Sequence, residues 1–262
     1  MNLEYQQYLS VAERIARTAG LMLREAQPHP HRIEYKGVIN LVTEMDRKSE
    51  AFIVHELTSA LGDHAIVAEE GSNHAAQSEF RWYIDPLDGT TNYTHGLPIY
   101  CVSLGLERAG ELICGAVYDP CQDEMFAAVA GEGAFLNGQP IHVSSETELS
   151  KSLLVTGFPY DIRETTVDNL DNFAAFAKRA RAVRRLGSAA LDLCWTACGR
   201  FDGFWELKLS SWDLAAGTLL VREAGGLVTD FDGGAYDLHR GRILATNGRI
   251  HQAMQITLAE MN

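Results

Sequence analysis

The stretch that most constrains this chain runs from Arg81 to Asn92 and reads Arg-Trp-Tyr-Ile-Asp-Pro-Leu-Asp-Gly-Thr-Thr-Asn. Trp82 to Ile84 is an apolar run of the kind that forms a short buried strand. Asp85 and Asp88 stand three residues apart where that strand ends. Pro86 lacks a backbone N–H and has a fixed φ, which predicts that the strand stops there. Gly89 lets the chain turn or approach a ligand closely. Thr90, Thr91 and Asn92 then read as a short helix with Asp88 as its N-cap. Two carboxylates and unpaired helix N–H groups would meet at one point. Carboxylates suit a hard cation such as Mg²⁺, and helix N-termini suit phosphate. Asp-Pro and Asp-Gly are also ordinary turn dipeptides, so the reading depends on further ligands elsewhere.

Three other acids are candidates. Ala65-Ile66-Val67-Ala68 is a short apolar strand ending in Glu69-Glu70-Gly71. Pairing it with the Trp82 strand would bring Glu69 beside Asp85. Ser211-Trp212-Asp213 follows the apolar Phe201 to Leu207 strand and again sets an acid at a helix N-terminus. A structural cap is the plain reading of any one such acid, and several together point to a shared cation. Asp46 lies in the first turn of a helix predicted from near Thr43 to Leu61, where a negative charge also suits the helix dipole.

The rest of the pattern is mixed. Tyr8, Val11, Ile15, Ala19 and Met22 recur at helical steps through residues 3–26. A polar loop surrounds Lys36-Gly37-Val38-Ile39-Asn40. Tyr100 to Leu106, Leu112 to Tyr118 and Met125 to Val129 read as an antiparallel meander, separated by Ala109-Gly110 and Asp119-Pro120. Composition shifts near Ser144. Beyond it come a strand at Leu153 to Val155, a helix from Asp168 to Arg181, a short strand at Val183 and a small-residue helix capped by Ser188. The strand at Phe201 and the helix from Ser211 to Glu223, closed by Gly225-Gly226, complete a strand–helix alternation typical of α/β layers. The chain divides into 1–143, an α+β half with most of the candidate metal ligands, and 144–262, an α/β half with Asp213, joined as one compact unit.

Composition narrows the function classes. The 262 residues are 46% apolar and 22% charged, ordinary for a globular chain. A formal net charge of −13 argues against general nucleic-acid binding. Cys101, Cys114, Cys121, Cys194 and Cys198 form no C-x-x-C pair and read as reduced core thiols. The N-terminus shows no basic region followed by an apolar core, and no apolar run is long enough to span a bilayer. A cytoplasmic protein is expected.

Asp85-Pro86-Leu87-Asp88-Gly89-Thr90-Thr91-Asn92 resembles the first signature of the inositol monophosphatase family. Trp212-Asp213-Leu214-Ala215-Ala216-Gly217, with Glu223-Ala224-Gly225-Gly226, resembles its second. Ala68-Glu69-Glu70-Gly71 and the segment from Asn40 to Asp46 are also similar, and Arg185 to Asp192 looks like the bacterial branch. The resemblance covers essentially the whole chain. It implies a layered α/β/α/β/α sandwich, a homodimer and a phosphatase that uses two or three Mg²⁺ and is inhibited by Li⁺. Its substrates would be small phosphorylated polyols or sugars, foremost myo-inositol 1-phosphate.

The resemblance also implies roles. Glu69, Asp85 and the Leu87 carbonyl resemble ligands of one metal, and Asp85, Asp88 and Asp213 those of a second. Asp46 and Thr90 look like the pair that orients the attacking water, and Glu69 joins them as a catalytic candidate. The backbone of Gly89 and Thr90 would hold the phosphate, Ala189 and Glu206 would contact the alcohol, and Asp88 would also bind substrate. Lys36 matches a loop lysine beside the site. Ser210 departs from the pattern, standing where some animal members carry His. Fructose 1,6-bisphosphate or a nucleotide 3′-phosphate is the alternative substrate on the same fold, and a regulatory partner-binding protein is the alternative of another class.

Several features keep plain readings. His95 is structural. Lys178, Arg179, Arg181, Arg184 and Arg185 form a solvated face or subunit contact. Glu132 and Asp192 are ordinary polar contacts.

Overall fold

A computed structural model describes residues 2–29, 33–35 and 41–261, and the segment around Lys36 lies outside them. The chain opens with helix α1 (Leu3–Ala26), capped by the Asn2 side chain, which accepts from the Glu4 and Tyr5 amides. Its buried stripe is Leu9, Ala12, Ile15, Ala16, Ala19 and Leu23. That face is turned slightly from the expected one, and Tyr8, Val11 and Met22 pack only partly buried at its edge. The small residues let the helix lie close to the sheet beneath, where a Cβ on Gly20 would come 2.5 Å from the Tyr118 ring.

A two-stranded ribbon follows, β1 (Ile33–Tyr35) antiparallel to β2 (Leu41–Thr43), then α2 (Glu44–Leu61). Next come β3 (Ala65–Ala68), β4 (Phe80–Asp88), the one-turn helix α3 (Thr90–Thr94) and a meander. The meander holds β5 (Cys101–Arg108), β6 (Glu111–Asp119), β7 (Glu124–Val129), β8 (Gly133–Leu136) and β9 (Gln139–Ile141). β3 to β9 lie in sequence order in one seven-stranded sheet. The last part carries β10 (Leu153–Thr156), α4 (Leu170–Arg179), β11 (Ala182–Arg184), α5 (Ala189–Ala197) and β12 (Gly203–Leu207). It ends with α6 (Ser211–Glu223), β13 (Leu227–Thr229), β14 (Arg242–Thr246) and α7 (His251–Ala259). These strands make a five-stranded sheet in the order β11-β10-β12-β14-β13.

Strand alternation builds the layers. On the first sheet Trp82, Ile84, Val102, Leu104, Cys114 and Ala116 face α1 and α2. Tyr83, Cys101 and Val117 point to the opposite face, into a cluster with Leu191, Leu193, Leu214 and Leu219 of α5 and α6. The second sheet covers those helices from the other side, contributing Val155, Phe204, Ile243 and Ala245 to the same cluster. Its outer face packs Leu154, Trp205 and Leu244 against Phe176 of α4 and Met254 and Leu258 of α7. The result is helix, sheet, helix, sheet, helix: the five-layer α/β/α/β/α sandwich. No helix among the described residues is long and apolar enough to cross a membrane.

The local expectations need four corrections. β4 does not stop at Pro86 but runs on to Asp88, with its pairing to β5 slipping between Asp85 and Asp88. Pro86 sits inside that irregularity, where no ladder N–H is required, and its carbonyl accepts from Ser49 Oγ at 2.8 Å. Asp88 does not cap α3; left-handed Gly89 occupies that position with φ 97°. The helix expected from Asp168 starts at Leu170, behind Asn169 in the left-handed region. The meander carries two further strands, β8 and β9, and the last half adds β13, β14 and α7 to the expected elements.

Candidate active site

Register places the first two acids together. β3 runs parallel to β4, with Ala68 opposite Ile84. The Glu69 amide extends the pairing by donating to the Ile84 carbonyl at 3.2 Å. Glu69 and Asp85 therefore lie side by side, where β3 ends and the pairing of β4 with β5 becomes irregular. Buried Glu50 of α2 fixes the turn beyond, accepting from the Glu70 amide at 2.6 Å and the Ser72 amide at 2.8 Å.

Close packing brings in the third acid. Gly105 and Gly115 face each other across β5 and β6. A Cβ on Gly105 would lie 2.6 Å from the Ala215 Cβ, and one on Gly115 would lie 2.9 Å from the Ala216 Cα. The paired glycines thus let α6 rest on the bare sheet backbone. Its first turn then delivers Asp213 to the cavity that Glu69 and Asp85 line. Asp213 is not the N-cap. It sits three residues into a capping box, accepting from the Ser210 amide at 2.6 Å.

Asp46 repeats that device on α2, accepting from the Thr43 amide at 2.8 Å. Its other oxygen accepts from Thr90 Oγ1 at 2.8 Å. Thr90 Oγ1 also lies 3.1 Å from the Leu87 carbonyl. Thr90 lines the cavity, whereas Asp46 is fully buried behind it and reaches the cavity only through that hydroxyl.

Asp88 ties in the second sheet's half of the molecule. Its Oδ2 accepts from Ser188 Oγ at 2.7 Å and from the Ala190 amide at 2.7 Å. The acid therefore sits on the N-terminus of α5, where backbone amides and the helix dipole favour negative charge. Gly89 follows it with no room for a side chain, since a Cβ there would meet the Ile99 carbonyl at 2.8 Å.

Electrostatics mark the cluster as strained. Burial first, then the charges of Glu69, Asp88 and Asp213, raises the Asp85 carboxyl well above its usual range. Burial first, then Asp88 and Glu69, raises Asp213 well above its own. Burial raises Asp88 too, opposed by its bonds to Ser188 and to α5. Buried like charges this close require a counter-charge to remain ionised together. Oxygen donors of this kind fit a hard divalent cation. Asp85, Asp88 and Asp213 each give an oxygen to a protein N–H or O–H donor. Among the described residues no three acid, imidazole or thiol groups close around a point as they stand. The donor chemistry fits such an ion, with the carboxylates facing one cavity rather than drawn into a shell.

The cavity has a volume of about 260 Å³. It brings together Glu69, Asp85, Leu87, Asp88, Gly89, Thr90, Ala189, Glu206 and Asp213; of the expected site residues only Asp46 stands behind its wall and only Lys36 lies outside the described residues. Glu206, at the end of β12, is 7% exposed. Burial first, then Asp213, pushes its carboxyl up to about 8, against the pull of Arg185.

Sequence reasoning missed several cavity residues. Asp192, read as an ordinary contact, lines the cavity from α5, and Arg185 leaves the basic run to stand at its edge. Lys208 also lines it, with Nζ held by Asp161 at 2.7 Å and by Thr165 at 2.9 Å. A helical projection from Ser188 would have put Asp192 within one turn of Ala189, which was the available signal. Arg185 and Lys208 gave none.

The sequence profile of the inositol monophosphatase family matches residues 4–261. An inositol-1-monophosphatase of Synechocystis sp. is 45% identical over 258 residues, covering 98% of this chain and 90% of that protein. The Nus factor SuhB of Pseudomonas aeruginosa is 43% identical over 262 residues, covering 97% of this chain and 96% of that protein. The solved structure of an inositol monophosphatase from Anabaena (Nostoc) sp. superposes with a TM-score of 0.91 at 44% identity, covering 100% of this chain and 98% of that one.

Proposed function

The chain belongs to the inositol monophosphatase family and is a phosphoric monoester hydrolase, and we propose that it hydrolyses myo-inositol 1-phosphate with Mg²⁺ held by the acids of its cavity. The observation that carries this reading is the convergence of Glu69, Asp85, Asp88 and Asp213 on one cavity beside Thr90. Glu69, Asp85 and the Leu87 carbonyl would hold one ion, and Asp85, Asp88 and Asp213 a second, with room in the family pattern for a third. Bound Mg²⁺ supplies Lewis-acid activation of water and charge neutralisation at the leaving oxygen.

The protein's own groups do the rest. Thr90 Oγ1 donates to Asp46, a charge-assisted bond that outcompetes the neutral Leu87 carbonyl. Its lone pairs are then left to accept a hydrogen from the attacking water, and Asp46 can receive the proton through that hydroxyl. Burial raises the Asp46 carboxyl, which makes it a better proton acceptor than an ordinary aspartate. The Gly89 and Thr90 backbone meets the phosphate, and Ala189 and Glu206 the alcohol. A homodimer, cytoplasmic residence and inhibition by Li⁺ belong to this reading on the family resemblance alone.

A cavity of about 260 Å³ lies just below the range of roughly 300–1,000 Å³ for drug-sized ligands. That favours a compact monoester over a nucleotide. A second reading, a regulatory role through a partner, is supported by the relative named as a Nus factor. Phosphate release across inositol 1-phosphate, fructose 1,6-bisphosphate and a nucleoside 3′-phosphate, with Mg²⁺ and after chelation, tests the proposal. The expected result is chelator-sensitive turnover greatest on the inositol ester. Turnover indifferent to chelation would remove the metal reading, and none on any ester would leave the partner-binding role.

A further inference from the structure

The phosphate chemistry leaves one cavity acid unused. Asp192 sits in the first turn of α5 and is 1% exposed, yet it lines the cavity. Its Oδ1 is buried with no hydrogen-bond partner. A carboxylate oxygen in that state is costly to keep, and in native structures such atoms call for a specific explanation.

Its surroundings supply one. After burial, the charge that most affects Asp192 is that of Glu206, and the two together raise its carboxyl well above the usual range. Glu206 is itself seated on a bare glycine: a Cβ on Gly157 would lie 2.1 Å from its Oε1. Gly157 lines the same cavity. The exposed Arg185 at the edge opposes the two acids, lowering both. Two buried carboxyls side by side make this part of the wall rich in acceptors.

We propose that Asp192 and Glu206 form a two-carboxylate clamp that holds neighbouring hydroxyls of the leaving alcohol, with Asp192 the specificity-determining member. The inference rests on the phosphatase reading above and names its substrate class: monoesters of neutral polyols. A polyol presents adjacent O–H donors, and each carboxyl offers acceptors to them. A second phosphate on the same substrate, which is an acceptor like the carboxyl oxygens, finds no donor there, and an aryl leaving group brings no donors to the orphaned oxygen.

The test compares kcat/KM for myo-inositol 1-phosphate with that for phenyl phosphate in the parent, Asp192→Asn, Asp192→Ala, Glu206→Gln and the double variant Asp192→Ala with Glu206→Gln. Asp192→Ala should lower the inositol-to-phenyl ratio by up to about tenfold, mostly through KM, because an acceptor bond to the polyol is lost; Asp192→Asn should fall between. Neither should melt below the parent, since each removes a buried carboxyl whose Oδ1 has no partner. In the double variant the second substitution should cost less than it does alone, because both acids hold one group. An unchanged ratio overturns the clamp. So does an equal loss on both esters accompanied by a lower melting temperature, which makes Asp192 a structural residue. A parent with no preference for the polyol ester overturns the clamp and the inositol substrate together. A parent that releases no phosphate overturns both along with the hydrolytic site.

Discussion

The backbone amide of Ala190 donates to Asp88 Oδ2 at 2.7 Å, across 102 residues of chain. One acid at the end of the first sheet thereby fixes the N-terminus of a helix packed against the second. Any movement between these parts must break a charged hydrogen bond inside the cavity, so the site and the docking of α5 are one structure.

Replacing Asp88 by Asn separates these roles. The amide oxygen can still accept from Ala190 and Ser188, so the fold should survive and the melting temperature should change little. The lost charge removes a preorganised electrostatic contact, which typically costs about 10²–10³ in turnover. Near-parental kcat in a folded Asp88→Asn protein would contradict the assigned cation site.

Thr90→Val keeps the volume and removes the hydroxyl between Asp46 and the cavity. If that hydroxyl orients water, kcat should fall by about 10²–10⁴, the range of positioned proton transfer, while KM hardly moves. Steady-state kinetics on the inositol ester decide it. A change confined to KM would place Thr90 in substrate binding instead.

Glu50 touches nothing in the cavity, but its two oxygens hold the Glu70 and Ser72 amides. Glu50→Gln points an amide N–H at one of these donors and loosens the turn that carries Glu69. Outer partners of metal ligands typically contribute about 10–100-fold in affinity. The Mg²⁺ concentration for half-maximal activity should therefore rise by that order, with kcat at saturating Mg²⁺ much less affected. An unchanged Mg²⁺ titration would show that the turn holds without it.

Gly157→Ala places a Cβ where the Glu206 carboxylate lies, 2.1 Å from Oε1. The carboxylate must swing away, and KM for inositol 1-phosphate should rise by about tenfold, the factor for 1.4 kcal/mol of lost binding. Kinetics matching the parent would mean that Glu206 has a second, equally good position.

His251 gives a pH signature of stability. Its ring lies 2.9 Å from Thr229 Oγ1 and 2.9 Å from Thr246 Oγ1, fastening α7 to β13 and β14. Burial lowers its pKa from 6.5 to about 4. The folded protein therefore binds fewer protons than the unfolded chain between those values. Its contribution is fully present above about pH 6.5 and is lost as pH falls towards about 4. Urea unfolding at pH 7 and pH 5 should show that loss, and His251→Gln should reduce the difference. An equal pH dependence in the variant would assign the loss to other groups.

The sequence by itself determined the devices that are local. Periodicity located α1 and the first three strands of the meander, and the acids near strand ends and helix starts follow from residue order and capping chemistry. Glu69, Asp85, Asp88, Asp213, Thr90 and Glu206 were legible on those grounds and on the family's signatures. Tertiary structure alone decided what these groups touch. Asp88 caps a helix 102 residues away rather than its own, because sheet order sets that neighbour. Asp213 reaches the acids of β3 and β4 because Gly105 and Gly115, paired across two strands, let α6 settle on the sheet. Asp192 belongs to the cavity wall and not to solvent because the second sheet brings Glu206 over α5. These are contacts between distant segments at van der Waals range, and no local pattern of residues encodes which face of one element will meet another.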